Sequence, residues 1–420
     1  MSCDYANGLS PYEYKGKCGQ PEVFDSEAVL DEKLSQLAEW VRSCEHMVVI
    51  TGAGISTSAG IPDFRGPNGV WTKEQQGEKP SINISFEDAV PTKTHMSLVE
   101  LQRLGKLQFI CSQNVDGLHT KSGFPLNRLT DVHGNMFVDR CQKCGKQFIR
   151  RRCTRTVGQK LTGEPCLAER LGRNAKPCRG GRLRDSILDW EDELPSEGLT
   201  ASLEHCRQAD LVLCLGSTLQ ILPVGTMPLK ARRNNPNAKI VIVNLQETKL
   251  DKKCDLKISY YVDTVMEKLF KKLGYTIPEY QRELDPTRKD TGEWVEKLPK
   301  LLLPTKRKTS SAASNEDESK PIKAKRAKAN HDVSVDSHQA VKTEKEDFDD
   351  FAKKDAIAAI ERHIETERDD SIDQLCRSQS NSSSDNNRVP QGDDSDSHLD
   401  GRPLSASAVK KEETGETIAS

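Results

Sequence analysis

From Asp25 to Ser43, apolar side chains fall at Leu30, Leu34, Leu37, Ala38 and Val41, the three-and-four spacing that lines one face of a helix. The apolar run Met47 to Ile50 follows and leads into a glycine-rich turn, which predicts a buried strand. Three further runs, Leu107 to Ser112, Asp210 to Gly216 and Lys239 to Asn244, read as strands covered on both faces, and Val262 to Leu273 returns to helical spacing. Buried strands separated by helical stretches predict an α/β fold with a doubly wound parallel sheet. No internal repeat is visible.

The stretch Arg140 to Arg184 breaks this pattern. It has little periodicity of either kind, but holds five cysteines and fourteen Lys or Arg against two Glu, a net charge of +12 in 45 residues. We read it as a small inserted metal-binding module. Beyond Tyr280 the pattern fades. Residues 281–303 read as a linker, 304–330 carry eight positive against three negative charges, and 331–420 carry eleven against 22. Such charge-rich, Ser-rich blocks bury too little apolar area to offset a backbone entropy of about 1–2 kcal/mol per residue, so a disordered tail is expected. Ile357, Ile360 and Ile364 mark at most one short helix that a partner could induce.

Composition fits this division. At 420 residues the chain is too long for one core, and with 35% hydrophobic, 30% charged and 5% aromatic residues it is lean in core formers. Only three of 21 aromatics and one of 13 cysteines lie after Tyr280, so the fold is expected in residues 25–280, preceded by an arm at 1–24. The net charge of -2 is a cancellation between a basic module and an acidic tail. No apolar run reaches the length of a membrane span, and the polar N-terminus lacks a signal peptide's apolar middle. We therefore expect neither a membrane protein nor a secreted one. Thirteen cysteines then point to thiols in a reducing compartment and to a metal site.

The first chemical motif is TGAGIS, Thr51 to Ser56, where Gly52 and Gly54 permit close approach of a ligand pyrophosphate and a following helix would offer free N–H groups. Thr57 stands where a third glycine is usual, and a tight strand-to-helix turn is the competing reading of the pair. The continuation GIPDFRG sets Asp63, Phe64 and Arg65 side by side, suited to a loop that closes on a ligand: Arg65 to a phosphate, Phe64 to exclude water, Trp71 to stack nearby. An ordinary surface loop with an ion pair competes with that reading. In SQNVDGLH, at a strand end, Gln113, Asn114 and Asp116 suit ribose hydroxyls. His133, followed by Gly134 and Asn135, is the candidate imidazole, although a lone histidine is more often structural than catalytic.

GAGIS, GIPDFRG, SQNVDGLH, HGN, the cysteine module, LGSTLQILP (Leu215 to Pro223) and IVNLQ (Ile242 to Gln246) together, in this order, resemble the sirtuins, the NAD-dependent protein-lysine deacylases. WTKEQQ (Trp71 to Gln76), DSILDWEDELP (Asp185 to Pro195) and the arm YANGLSPYEYKGKCG resemble the family's class IV branch. The resemblance covers about Tyr5 to Tyr280 and implies a Rossmann-like lobe for 25–280 with a zinc module at about 140–184. It implies NAD in the crevice, with Ala53, Thr57, Asp63, Phe64, Arg65 and Trp71 around its phosphates and nicotinamide end. Gln113 and Asn114 would hold the nicotinamide ribose and Asp116 would order the pocket. Gly216, Ser217, Thr218, Asn244 and Gln246 would take the phosphate and adenosine side, with Val262 enclosing the adenine.

In the implied reaction the acyl oxygen attacks the ribose anomeric carbon as nicotinamide leaves, and His133 acts as general base on a ribose hydroxyl that collapses onto the imidate. Its unperturbed pKa of ~6.5 suits that task. The chain departs from the family twice. It reads Gly216, Ser217, Thr218 where G-T-S is usual, and only Gly66 to Asp88 separates the DFRG motif from the next helix, which implies a more preformed NAD site. Protein mono-ADP-ribosyl transfer at the same NAD carbon, and a non-catalytic chromatin scaffold, are the competing readings.

Cys141-x-x-Cys144 is half of a tetrahedral zinc site. Spacing alone leaves Cys153 and Cys166 in competition for the other half, and the class IV pattern selects Cys166 and Cys178, giving one structural zinc. Fourteen close cations repel unless an anionic partner compensates them. Arg170, Arg173 and Lys176 are therefore expected to dock an acidic histone surface or DNA phosphates of the nucleosome. PTKRK (Pro304 to Lys308) and KPIKAKRAK (Lys320 to Lys328) look like nuclear-import signals, and VKTE and VKKE resemble SUMO sites. A nuclear, chromatin-associated enzyme acting on acyl-lysines of histone tails and other nuclear proteins is the resulting expectation.

Overall fold

The computed structural model describes residues 8–80, 84–166, 178–288 and 295–304, the side chains of 295–297 excepted. The first half runs α1 (Glu27–Ser43), β1 (Met47–Thr51), α2 (Val70–Gln75), α3 (Lys93–Arg103), β2 (Leu107–Ser112), α4 (Leu118–Lys121) and β3 (Leu129–Asp131). Four short strands follow: β4 (Val138–Cys141), β5 (Gln147–Arg150), β6 (Leu161–Pro165) and β7 (Arg182–Asp185). Then come α5 (Ser196–Gln208), β8 (Leu211–Leu215), α6 (Leu229–Asn234), β9 (Lys239–Val243), β10 (Leu256–Ile258), α7 (Val262–Leu273) and β11 (Val295–Lys297).

Six strands form one parallel sheet in the order β10-β9-β8-β1-β2-β3. The chain builds outward from β1 through β2 to β3, then crosses back to place β8 on the other side of β1, so the winding reverses between β1 and β8. Ligands of doubly wound folds bind at such a reversal, off the carboxyl ends of the strands. Every residue of β1 and β8 is buried, because both sheet faces are covered. Met47 and Val49 face the layer made by α1, α3 and α7, while Val48 and Ile50 face α5 and α6. The apolar stripe of α1 is Leu30, Leu34, Leu37, Ala38 and Val41, all buried as its spacing predicts, and Ser26 caps its start by accepting from Val29 N at 3.4 Å.

Several local features depart from the sequence reading. The edge strands β3 and β10 are three residues each, too short to show a pattern. TGAGIS is followed not by an α-helix but by two 3-10 turns, Ala53–Ile55 and Thr57–Ala59, so no helix dipole points into the crevice from this loop. The stretch after DFRG holds one short helix, α2, before α3 begins at Lys93. The cysteine module is an antiparallel sheet, ordered β11-β5-β4-β7-β6. Residues 281–303, read as a linker, supply β11, and Leu302 donates its N–H to Asn127 O and accepts from His205 Nε2. The expected import segment beyond Pro304, the acidic tail with Ile357, Ile360 and Ile364, and Arg170, Arg173 and Lys176 lie outside the described residues.

Candidate active site and metal centre

The loops after β1 and β8 cross in contact. Gly52 N donates to Leu215 O and Gly54 N to Gly216 O, at 3.0 and 2.9 Å. A Cβ on Gly54 would lie 2.8 Å from Gly216 Cα, and one on Gly52 2.7 Å from Gly216 O, while Gly216 itself has φ +59°. The three glycines are thus required first by each other. Their packing leaves Ala53, Ser217 and Thr218 on one wall of a cleft that also receives Asn244 and Gln246.

The opposite wall is a polar network at the end of β2. Ser56 Oγ donates to Asp116 Oδ2 at 2.7 Å and accepts from Asn114 Nδ2 at 3.3 Å, while Leu118 N donates to Asp116 Oδ1 at 2.8 Å. Burial pushes the Asp116 carboxyl above its ordinary range, and the Leu118 N–H and Ser56 hydroxyl oppose that rise. Gln113 Nε2 donates to Ser217 Oγ at 2.9 Å, linking the two walls. His133 Nδ1 lies 3.0 Å from Gln113 O. A carbonyl oxygen only accepts, so Nδ1 carries the proton and the neutral ring keeps the lone pair of Nε2 available. Burial holds the imidazole below its usual pKa, with the Gln113 bond opposing and Arg65 adding to the shift, so the neutral form prevails. Ser56, inside a motif read only for its glycines, is the residue that joins Asn114 to Asp116.

Arg65 extends from the DFRG loop into the same cleft. Its Nε donates to Lys15 O at 2.8 Å, its guanidinium carbon stands 4.5 Å over the Trp71 ring, and its Nη2 is buried with no partner among the described residues. A cationic N–H left without an acceptor on a residue that lines the cleft fits an anionic group of a ligand. Asp63 accepts from Gly66 N at 3.0 Å and shapes the loop; burial pushes its carboxyl upward. Phe64 packs on Trp71 with centroids 4.8 Å apart. Trp71 is in turn 5.4 Å from Trp190, and Tyr12 of the arm stacks on Trp190 at 5.1 Å. Trp190 Nε1 donates to Ser10 O, and Ser10 Oγ to Asp189 Oδ2, so the arm roofs the cleft. Tyr12 and Trp190 sat in segments read only as branch markers, and no local pattern signalled that they meet.

The cleft therefore gathers Gly52, Ala53, Gly54, Asp63, Phe64, Arg65, Trp71, Gln113, Asn114, Asp116, His133, Gly216, Ser217, Thr218, Asn244 and Gln246. Two expected residues lie elsewhere. Thr57 is exposed and its hydroxyl donates to Gly54 O, and Val262 is buried in the helical layer at the start of α7. Gln246 also has a scaffolding part: its Nε2 donates to Gln20 O and Arg65 O, tying the arm to the DFRG loop.

In the module, the sulfurs of Cys141, Cys144, Cys166 and Cys178 all lie within 4.8 Å of one another, with Cys141–Cys178 and Cys144–Cys166 both at 3.7 Å. Zinc–thiolate bonds of about 2.3 Å in a tetrahedron set sulfurs ~3.8 Å apart, so the four cysteines fit one structural zinc. A Cβ on Gly181 would lie 2.5 Å from Cys178 Sγ and 2.6 Å from Cys141 Sγ, which makes that glycine part of the cradle. Burial raises the Cys141 thiol, but the N–H groups of Cys144 and Lys143 and the neighbouring thiols outweigh it and bring the thiol down to about 7. Cys153 belongs to another cluster, packed with Ile61, Phe86, Val115 and Phe137.

A sequence profile described as the Sir2 family matches residues 52–86 and 79–223. A Drosophila melanogaster protein named "NAD-dependent protein deacetylase Sirt6" is 50% identical over 296 residues, 70% of this chain and 92% of its own length. "NAD-dependent protein deacetylase SRT1" of Oryza sativa subsp. indica is 48% identical over 283 residues, 67% of this chain and 56% of the relative. A solved structure titled "Structure of Sir2Tm bound to a propionylated peptide" aligns with a TM-score of 0.43 at 24% identity, covering 58% of this chain and all of that one. With half of its aligned residues shared across nearly the whole fly protein, this chain belongs to the Sir2 family.

Proposed function

We propose that this chain removes acyl groups from lysine side chains of proteins at the expense of NAD. The observation that carries the reading is His133, whose Nδ1 is committed to Gln113 O and whose Nε2 is left basic in a cleft where Arg65 Nη2 has no partner among the described residues. NAD bound there supplies an electrophilic ribose carbon with nicotinamide as its leaving group. Arg65 Nη2 would hold a phosphate, with Ser217 and Thr218 on the same side. Gln113 and Asn114 would orient the ribose, and the Ser56–Asp116 pair keeps Asn114 from turning. His133 Nε2 would accept the proton of a ribose hydroxyl, and its Nδ1–H bond to Gln113 O would steady the resulting cation. Phe64, Trp71, Trp190 and Tyr12 exclude water from the reacting end.

Histone tails and other nuclear proteins are the proposed substrates, and the nucleus the proposed site of action, because basic runs beyond Pro304 have the composition of import signals. The contact of Arg170, Arg173 and Lys176 with an acidic nucleosomal surface is proposed on charge alone. Incubation with NAD and an acetylated or a myristoylated histone-tail peptide tests the reading. Nicotinamide with free lysine supports it. Nicotinamide with ADP-ribosylated protein would replace it with group transfer to side chains, and no turnover would leave a binding scaffold.

A further inference from the structure

A second cavity lies away from the catalytic cleft, bounded by the turns at 87–88, 151–155 and 282–288. Arg151, Arg152, Arg155, Arg282 and Arg288 line it, against two carboxylates, Glu87 and Asp88. Both acids are engaged: Glu87 Oε1 accepts from Cys153 N at 3.1 Å and Asp88 Oδ2 from Ser85 Oγ at 2.6 Å. Arg288 Nη2 donates to Glu87 O, and its Nε faces Asp285 at 3.5 Å. The side chains of Arg152, Arg155 and Arg282 are exposed and have no ion-pair or hydrogen-bond partner among the described residues.

The walls are fixed from behind. Lys121, 1% exposed, donates its Nζ to the carbonyls of Phe86, Glu87 and Ala89 at 2.6–3.0 Å, pinning the first turn. Asp285, fully buried, accepts from Tyr280 Oη, Thr287 N and Thr287 Oγ1, all at 2.7 Å, and closes the third. Unpaired guanidinium groups held around one concavity repel each other unless an anion sits among them, and their forked donors match phosphate oxygens.

We propose that this cavity binds a compact phosphate-bearing anion. The concave shape favours a small polyphosphate over an extended surface, and nucleic-acid phosphate is the alternative source of the same chemistry. The test titrates the full-length chain with inorganic tripolyphosphate at several salt concentrations. The double variant Arg152→Glu/Arg282→Glu is expected to bind at least ~10-fold more weakly, with a shallower dependence on salt, because two cations at the site become anions. Its thermal unfolding and peptide deacylation should match wild type, since neither residue touches the catalytic cleft. Arg152→Gln/Arg282→Gln should show a smaller loss in the same direction, and an Arg170/Arg173/Lys176 triple alanine variant none. A short blunt DNA duplex forms the second arm. Duplex binding that is displaced by tripolyphosphate and weakened by the same double variant assigns the phosphates to nucleic acid, and duplex binding indifferent to it assigns a free polyphosphate. If tripolyphosphate fails to bind wild type, or binds the Glu and Gln variants as tightly, the proposal is overturned.

Discussion

Replacing Gly181 by Ala separates a zinc cradle from a mere cysteine cluster. The new Cβ would stand 2.5 Å from Cys178 Sγ and 2.6 Å from Cys141 Sγ. Non-bonded heavy atoms rest at about 3.5–4.0 Å, so each sulfur would have to retreat by roughly 1 Å. Metal–ligand distances tolerate about ±0.2 Å, so the displacement exceeds the allowance about fivefold. A structural zinc contributes about 10–16 kcal/mol in small zinc domains, and losing even 3 of that weakens binding by ~100-fold. The assay is zinc content after purification together with the rate of zinc release to a chromogenic chelator. Gly180→Ala is the control, because its φ of +71° costs about 1 kcal/mol with Ala while, among the described residues, no atom beyond its chain neighbours lies within 4 Å of the added carbon. Gly181→Ala should purify with much less than one zinc per chain and release the remainder faster, and Gly180→Ala should keep its metal. Wild-type content and release in Gly181→Ala would show that this glycine does not shape a metal cradle.

Further outcomes follow from the same geometry. Cys166→Ser should lose zinc while Cys153→Ser, whose thiol packs with Phe86 and Phe137, retains it; the opposite result in a metal assay would reverse the ligand choice. Because burial lowers the His133 pKa, its basic form persists to lower pH than in a free imidazole, so the acid limb of kcat/KM should fall below about 6.5, and a limb above 7 would contradict it. Lys121→Met orphans the buried carbonyls of Phe86 and Ala89, while Glu87 O keeps its bond from Arg288, and should destabilise the fold by about 2 kcal/mol, roughly 1 for each, read as a lower urea midpoint. Ser56→Ala should cost more in kcat than in peptide KM, because it frees Asn114 and Asp116 from their shared hydroxyl.

The parts legible in the sequence are those where one local pattern carries the information. Strands β1, β8 and β9 are nearly continuous apolar runs because helices cover both sheet faces, and α1 and α7 show their buried stripes directly. The module's sheet was hidden because its strands are short and strongly charged, with β6 alternating between exposed and half-buried residues and β11 arriving from 110 residues beyond β7. Motif order named the cleft residues, but not the contact of Gly52 and Gly54 with Gly216, which makes those glycines necessary to the fold before any ligand arrives. The stacking of Tyr12 on Trp190 joins positions far apart in the chain, and so does the arginine cavity. Pairings of that kind leave no trace in spacing.

If His133 Nε2 is the base of an NAD-consuming deacylation, nicotinamide and deacylated peptide form together, and counting both in one reaction checks this. With NAD and an acylated histone-tail peptide, wild type should form the two in a one-to-one ratio, and His133→Tyr should form no deacylated peptide. Deacylation without NAD or without matching nicotinamide would mean that NAD is not consumed in the reaction, and turnover that persists in His133→Tyr would mean that His133 is not its base.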